Sequence, residues 1–422
     1  MKTSFWSSAV YGHWFLTVWV LGGIALVTLV AETGLDRWTA KAPNEDSSGH
    51  IKNSLLTADE TRRFDGALTR AGENRREIFR AFAALGEPER RSAMIMVSKL
   101  EDVDLRQISC DCICEVINTA WKARRKFSWC KRAPLELFET YTTSPRILEE
   151  PLSAYHKVFY DRLKRRVKYC DTTAEASDVV WRYRTNFTYW SETDQRPQAA
   201  PFETLAFGKG GCQELVVLYI ALARSVGLIA RPAQTVWPTL GTGHYWAEVW
   251  DTESNNWHAV DCSSMDRPYN FPWVLRVPKA VIHSATGEPG GCSARKEHRW
   301  EAFTNTVGLF YPSGRVSVRV LPNTDAVSHQ RVYVQVWLRG EMISLTSGIL
   351  SPNSEVSFTL GQSARKPYRL TLGEEGATDW EWVAVEAGHT YLLTLNPART
   401  KPFDSAALPP PLPFPEWDNA QR

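Results

Sequence analysis

Cys212, His244 and Asp261 are the residues of this 422-residue sequence whose types and spacing could carry covalent chemistry. Cys212 follows the run FGKGG and opens an apolar stretch in which Leu215, Leu218, Leu222 and Val226 recur at helical spacing. Gly227 suits a C-terminal cap and Pro232 lies beyond it, so a helix starts at Cys212 directly after a glycine-rich turn. There a thiol meets the positive end of the helix dipole and free N–H groups, and both favour the thiolate, the form that attacks carbonyl carbon. The glycines let a substrate approach the backbone and leave amides free for a developing oxyanion. A phosphate-binding loop is the competing reading, and it fails because the Lys-Ser/Thr that should follow the second glycine is missing.

A nucleophilic thiol needs a base. GHYWAEVW, the polar DTESNN and WHAVDCSS run from residue 243 to 264 and read as two strands around a turn. Such a hairpin brings His244, near the start of one strand, close to Asp261, near the end of its neighbour. Asp261 would then hold the imidazole by Nδ1–H while Nε2 faces the thiol, the nucleophile, base and orienter logic of a Cys–His–Asp triad. His258 is an alternative base in the same hairpin, but no carboxylate follows it at comparable spacing. Glu214 and Glu248 read as structural, pairing with backbone or with a neighbour such as Arg231.

GKGGCQEL with ALARSVGLIARP, then GHYWAEVW, then NWHAVD, resemble in order and spacing the transglutaminase-like superfamily, whose core is related in architecture to papain-type cysteine proteases. The resemblance implies that Cys212 is the nucleophile, His244 the base and Asp261 the orienting acid. It further implies an enzyme that acts on amide or peptide bonds through a thioester, with a protein or peptide as substrate and no cofactor or metal. FSWCKRAPLELFETY, SPRILEEP and RPQAAPFETL extend the similarity to exported bacterial proteins that carry such a core between a helical N-terminal region and a C-terminal β-sandwich. Members of the superfamily stabilise the oxyanion partly through a side chain upstream of the cysteine. Tyr189 and Trp190 are the candidates for that role, with Gln195 and Gln198 also open. Hydrolysis, which the bacterial relatives favour, and transfer to an amine both remain open. So does a non-catalytic surface scaffold whose sandwich binds protein or glycan. No D-x-[DN]-x-[DN]-G loop is present, so calcium activation is not expected.

The elements that must position these groups follow from periodicity and give an α+β fold. Residues 55–173 space apolar residues three or four apart between charges and read as helices. Residues 174–303 read as the mixed transglutaminase-like core. Residues 304–396 alternate apolar and polar in RVSVRVL, RVYVQVWL, EVSFTLG, PYRLTLG and EWVAV, the pattern of a small antiparallel sandwich, expected to be immunoglobulin-like. The tail, 397–422, contains LPPPLPFP, too rich in proline for helix or inner strand. It reads as extended, with a polyproline ligand as the functional alternative.

Residues 15–31 run 17 residues without a charge, after Lys2, and residues 32–54 form a polar linker. This N-terminus reads either as a cleaved secretory signal or as an uncleaved membrane anchor, and both readings export the rest to the periplasmic or extracellular side. The sandwich could then contact the cell envelope. Lys plus Arg number 49 against 47 Asp plus Glu, which leaves no global field for a phosphate backbone, so nucleic acid is not an expected partner. Export makes the eight cysteines worth counting, since an oxidising compartment would allow three disulfides. Cys110, Cys112 and Cys114 suggest a metal site only if they lie on a strand. Their surroundings read as a helix, which turns Cys112 away from the other two.

Overall fold

A computed structural model of the chain describes residues 56–183, 188–189, 198–237, 242–264, 269, 281–287, 303–321, 331–338, 341–363, 368–373 and 379–401. The expected signal or anchor at 1–31, its linker and the proline-rich segment lie outside the described residues. Among the described residues no helix is long and apolar enough to cross a membrane.

The helices begin where capping chemistry allows. Thr57 and Glu60 form a reciprocal capping box at the start of α1 (Ala58–Ala71). It is followed by α2 (Arg75–Ala84), α3 (Glu89–Ser98), α4 (Cys110–Lys126) and α5 (His156–Leu163). The Ser109 hydroxyl caps α4 by accepting the Cys112 N–H at 3.1 Å. Helical spacing therefore separates Cys112 from Cys110 and Cys114, and burial pushes the Cys112 and Cys114 thiols up to about 12. All seven described cysteines are free, and Cys292 lies outside the described residues.

After α6 (Thr173–Arg182) and α7 (Pro201–Phe207) comes α8 (Cys212–Ser225), preceded by β2 (Lys209–Gly210), which pairs in parallel with β1 (Thr188–Tyr189). From Leu215 to Ser225 every residue of α8 is buried. A helix that is apolar all round belongs in an interior. It packs against α4, α5, α6 and α7 and also against β3 (Ala230–Trp237) and β4 (Thr242–Asp251). These strands belong to a five-stranded antiparallel sheet of order β5-β4-β3-β6-β7, with β5 (Asn256–Val260), β6 (His283–Ala285) and β7 (Phe303–Asn305). The expected hairpin is β4 and β5, joined through Asn255 at φ 53.

Seven further strands follow: β8 (Ser313–Val320), β9 (Arg331–Leu338), β10 (Glu341–Ile349), β11 (Glu355–Gly361), β12 (Tyr368–Leu372), β13 (Trp380–Val383) and β14 (Thr390–Leu395). They form two sheets, β10-β9-β12-β13 and β11-β8-β14, that share one apolar core including Val316, Val334, Leu360, Leu370 and Leu395. The sandwich is present, but its order departs from the immunoglobulin expectation, which sets the second strand between the first and the fifth. Here β9, the second, lies between β10 and β12, while β8 lies between β11 and β14 and runs parallel to the latter. Alternation specifies which side of a strand faces the core, and not which strand lies beside it. The pattern also missed β10, whose register shifts between Ser344 and Thr346, and β14, where adjacent Leu392 and Leu393 blur the period of two.

Gly227 closes α8 at φ +76, and the Leu228 N–H reaches back to the Ala223 carbonyl at 3.0 Å. A Cβ at Gly227 would lie 2.8 Å from Cys130 Sγ. Gly227→Ala is therefore expected to cost about 2–4 kcal/mol, the sum of backbone strain and crowding. Gly72→Ala, at φ +57 with nothing within 4 Å, should cost only the strain, about 1 kcal/mol. Denaturant unfolding of the two variants checks this, and equal losses would count against the packing argument.

Candidate active site

Cys212 is the first residue of α8, half-buried at its N-terminus. Glu214 reaches back to accept the Gly211 N–H at 3.0 Å, so its carboxylate serves the backbone. Gly210 must lack a side chain, because a Cβ there would lie 2.9 Å from that of Glu214. The β1–β2 pairing sets the Tyr189 backbone opposite Gly210, beside the turn that leads into Cys212.

His244 lies near the start of β4 opposite Thr235, and Asp261 directly follows β5. Because Ala247 pairs with Val260, alternation puts Asp261 and His244 on the same face. His244 Nε2 is 3.4 Å from Asp261 Oδ1, and both residues are buried. The same oxygen accepts the Ser263 N–H at 2.8 Å, so Asp261 caps its own turn while it faces the imidazole. This corrects the expected ring orientation at the acid: the carboxylate is at Nε2, where Nδ1 was expected. Nε2 is the ring nitrogen farther from Cβ, the one able to reach across the hairpin to the neighbouring strand.

Burial alone would lower the His244 pKa. Hydrogen bonding to Asp261 and to Cys212, with the charges of both, outweighs it and raises the value to about 9. The structure thus brings all three sequence-derived residues together, with the imidazole between a carboxylate and a thiol. His258 stands apart. It pairs with Val249, which puts it on the opposite face at the turn end of the hairpin. There its Nε2 is 2.8 Å from Ser254 Oγ and 3.5 Å from Asp251 Oδ2.

Of the four upstream candidates, only Gln198 has a described side chain. The Tyr189 side chain, Trp190 and Gln195 lie outside the described residues. Gln213, the neighbour of Cys212, donates from Nε2 to Gln198 Oε1 at 3.2 Å, and the Glu149 N–H donates to the same oxygen at 3.0 Å. Gln198 Nε2 is buried with no hydrogen-bond partner. Such an arrangement can offer a donor to a charge that develops near the start of α8.

Most of a supporting network on the His244 face escaped sequence reasoning. Arg231 Nε donates to Glu248 Oε2 at 2.7 Å, Ser284 Oγ donates to Glu248 Oε1 at 2.9 Å, and Thr306 Oγ1 lies 2.6 Å from Ser284 Oγ. The Arg231 guanidinium sits 3.9 Å over the Trp257 ring, and its Nη1 is 3.4 Å from Tyr141 Oη. Burial raises the Glu248 carboxyl pKa against the pull of Arg231. The Arg231–Glu248 pairing was legible. Tyr141, Ser284 and Thr306 come from three separate segments that carry no local signal.

Asp261→Asn removes the charge beside His244 and keeps an oxygen there, so the imidazole titration, followed by NMR, should fall from about 9 toward its ordinary value near 6.5. A folded pKa above the unfolded one contributes stability that is full below about 6.5 and lost as pH rises through about 9. The wild-type advantage in unfolding free energy over this variant is therefore expected to fade across that window. An advantage undiminished above it would place the stabilisation elsewhere.

Residues 161–262 match the profile of the Transglutaminase-like superfamily. None of the curated proteins matches the chain. Among solved structures, a protein from Cytophaga hutchinsonii assigned as a cysteine protease is 14% identical, with a TM-score of 0.27 over 43% of this chain and 68% of its own. Red sea bream transglutaminase is 8% identical, with a TM-score of 0.24 over 51% of this chain and 55% of its own. The Bacillus anthracis TIE protein is 10% identical, with a TM-score of 0.15 over 28% of this chain and 22% of its own. The stretch from 161 to 262, which supplies Cys212, His244 and Asp261, is a transglutaminase-like domain.

Proposed function

We propose that this chain is an exported cysteine enzyme that hydrolyses amide or peptide bonds through a thioester on Cys212. The observation that carries the reading is the buried imidazole of His244 between Asp261 and Cys212, within the matched span. In the first half-reaction the Cys212 thiolate adds to the carbonyl carbon, and the C=O π electrons move to oxygen. Gln198 Nε2–H and the amides at the start of α8 meet that oxyanion. The imidazolium gives its Nδ1 proton to the leaving amine as the C–N bond breaks, and the thioester remains. In the second half-reaction His244 takes a proton from water, hydroxide adds to the thioester, and the thiolate leaves. Asp261 keeps the ring oriented and offsets its positive charge.

Water is the acceptor in this reading, as the bacterial proteins that the sequence resembles suggest. The uncharged residues 15–31 support a periplasmic or extracellular location, and the sandwich would face the cell envelope there.

Cys212→Ala is expected to abolish amine or ammonia release from glutamine-containing peptides while leaving the circular dichroism spectrum unchanged. Activity retained in that variant would overturn the thioester. Incorporation of an added primary amine into the peptide would make the enzyme a transferase, and wild-type protein as inert as the variant would favour a non-catalytic scaffold. Gln198→Ala is expected to lower kcat by about 10²–10³ with KM little changed, the usual loss for one oxyanion donor. An unchanged kcat would return the role to Tyr189 or Trp190.

A further inference from the structure

The outer face of the four-stranded sheet is built unlike a solvated one. Val332, Val334, Leu370 and Leu372 point into the shared core. Alternation therefore sends Tyr333 and Trp337 of β9, Arg369 and Thr371 of β12, and Trp380 and Trp382 of β13 to the other side. Register aligns Trp382 with Arg369 and Trp380 with Thr371. The Arg369 guanidinium lies 5.0 Å over the Trp380 ring, whose centroid is 6.1 Å from that of Trp382.

Among the described elements, β9, β12 and β13 make their main contacts with one another, with β10 and with β14, all of them strands of the two sheets. Yet Thr371 is 0% exposed, Thr371 Oγ1 and Trp382 Nε1 are buried, and neither atom has a hydrogen-bond partner. Unmet buried donors are costly and point to an absent partner.

The chain itself leads there. Past β14, the Asn396 N–H donates to Asp379 Oδ2 at 2.9 Å, and Trp380 Nε1 donates to the Lys401 carbonyl at 3.1 Å. Lys401 Nζ donates to the Trp380 carbonyl at 3.0 Å and lies 4.7 Å over its ring. LPPPLPFP, residues 408–415, follows soon after. At about 3.1 Å per residue in a polyproline helix those eight residues span about 25 Å, and four strands about 4.8 Å apart are crossed in about 14 Å. Aromatic-lined grooves bind such helices by stacking prolines on rings, while Trp N–H groups donate to the carbonyls.

We propose that residues 408–415 dock across the outer face of β9, β12 and β13, stacking on its aromatic rings and giving Trp382 Nε1–H a carbonyl acceptor. The test places a photocrosslinker at Phe414 (Phe414→p-benzoylphenylalanine) in the full chain and maps the products by mass spectrometry. Crosslinks within one chain to peptides containing Tyr333, Trp337, Trp380 or Trp382 are expected. Their yield should be unchanged on about tenfold dilution, because the contact is intramolecular. Pro409→Gly, Pro410→Gly and Pro411→Gly together should cut the yield about fivefold, because glycine lacks the fixed φ that favours a polyproline helix. Crosslinks elsewhere, or a yield that falls on dilution, would overturn the proposal. So would saturable quenching of tryptophan fluorescence by cellohexaose without any tail crosslink, which would assign the face to glycan.

Discussion

A buried charge pair sets the register on which the site depends. Arg231 on β3 and Glu248 on β4 face each other with side-chain exposures of 7% and 0%. Removing one partner of such a pair leaves an uncompensated charge in the interior, at a cost of about 3–5 kcal/mol. A slip of one residue between the strands would part the two charges and turn every β4 side chain to the other face. His244 shares the face of Glu248, four residues along the same strand, so the register that keeps the charges together also aims the imidazole. Ser284 on β6 ties the same carboxylate to the next strand, and Trp257 covers the guanidinium.

The helical region acts on the site through α8. Arg224, 1% exposed, donates to the Ala230 carbonyl at 3.1 Å and to the Arg146 carbonyl at 2.9 Å. Trp129 donates from Nε1 to the Val226 carbonyl at 3.1 Å. These bonds clamp the C-terminal end of α8, and a rigid helix transmits that constraint to its first residue, Cys212. Gly210 then lets the chain enter the helix without a side chain that would crowd Glu214. The result is a thiol fixed by the core of one region and an imidazole fixed by the register of a sheet.

Electrostatics at the meeting point follow from burial. In water a histidine beside one carboxylate would shift modestly, because solvent screens the pair. Here the imidazole and Asp261 are both removed from water, and the thiol is half-buried at its other side. Desolvation that disfavours the imidazolium is outweighed by two acidic neighbours, so the charged ring remains the stable form to about 9. The imidazole then keeps its proton in an interior that would otherwise expel it.

Cys212, His244 and Asp261 were legible as a group because their signals are local: a cysteine between glycines and an apolar helix, and a histidine and an aspartate flanking a polar turn. The helices of residues 55–173 and five of the seven sandwich strands were legible for the same reason, since periodicity is written residue by residue. What depends on distant segments was decided only by tertiary structure. Which imidazole nitrogen meets Asp261 depends on where the folded hairpin sets the carboxylate relative to the ring. The Arg231–Glu248–Ser284–Thr306 network joins residues from 231 to 306, and the sandwich order depends on which strand edges meet. Only folding sets the Gln198 amide against Gln213, 15 residues along the chain. Sequence periodicity specifies which face of an element is apolar, whereas the packing of those faces selects the partners, and the long-range contacts that hold β3, β4 and α8 in place are of the second kind.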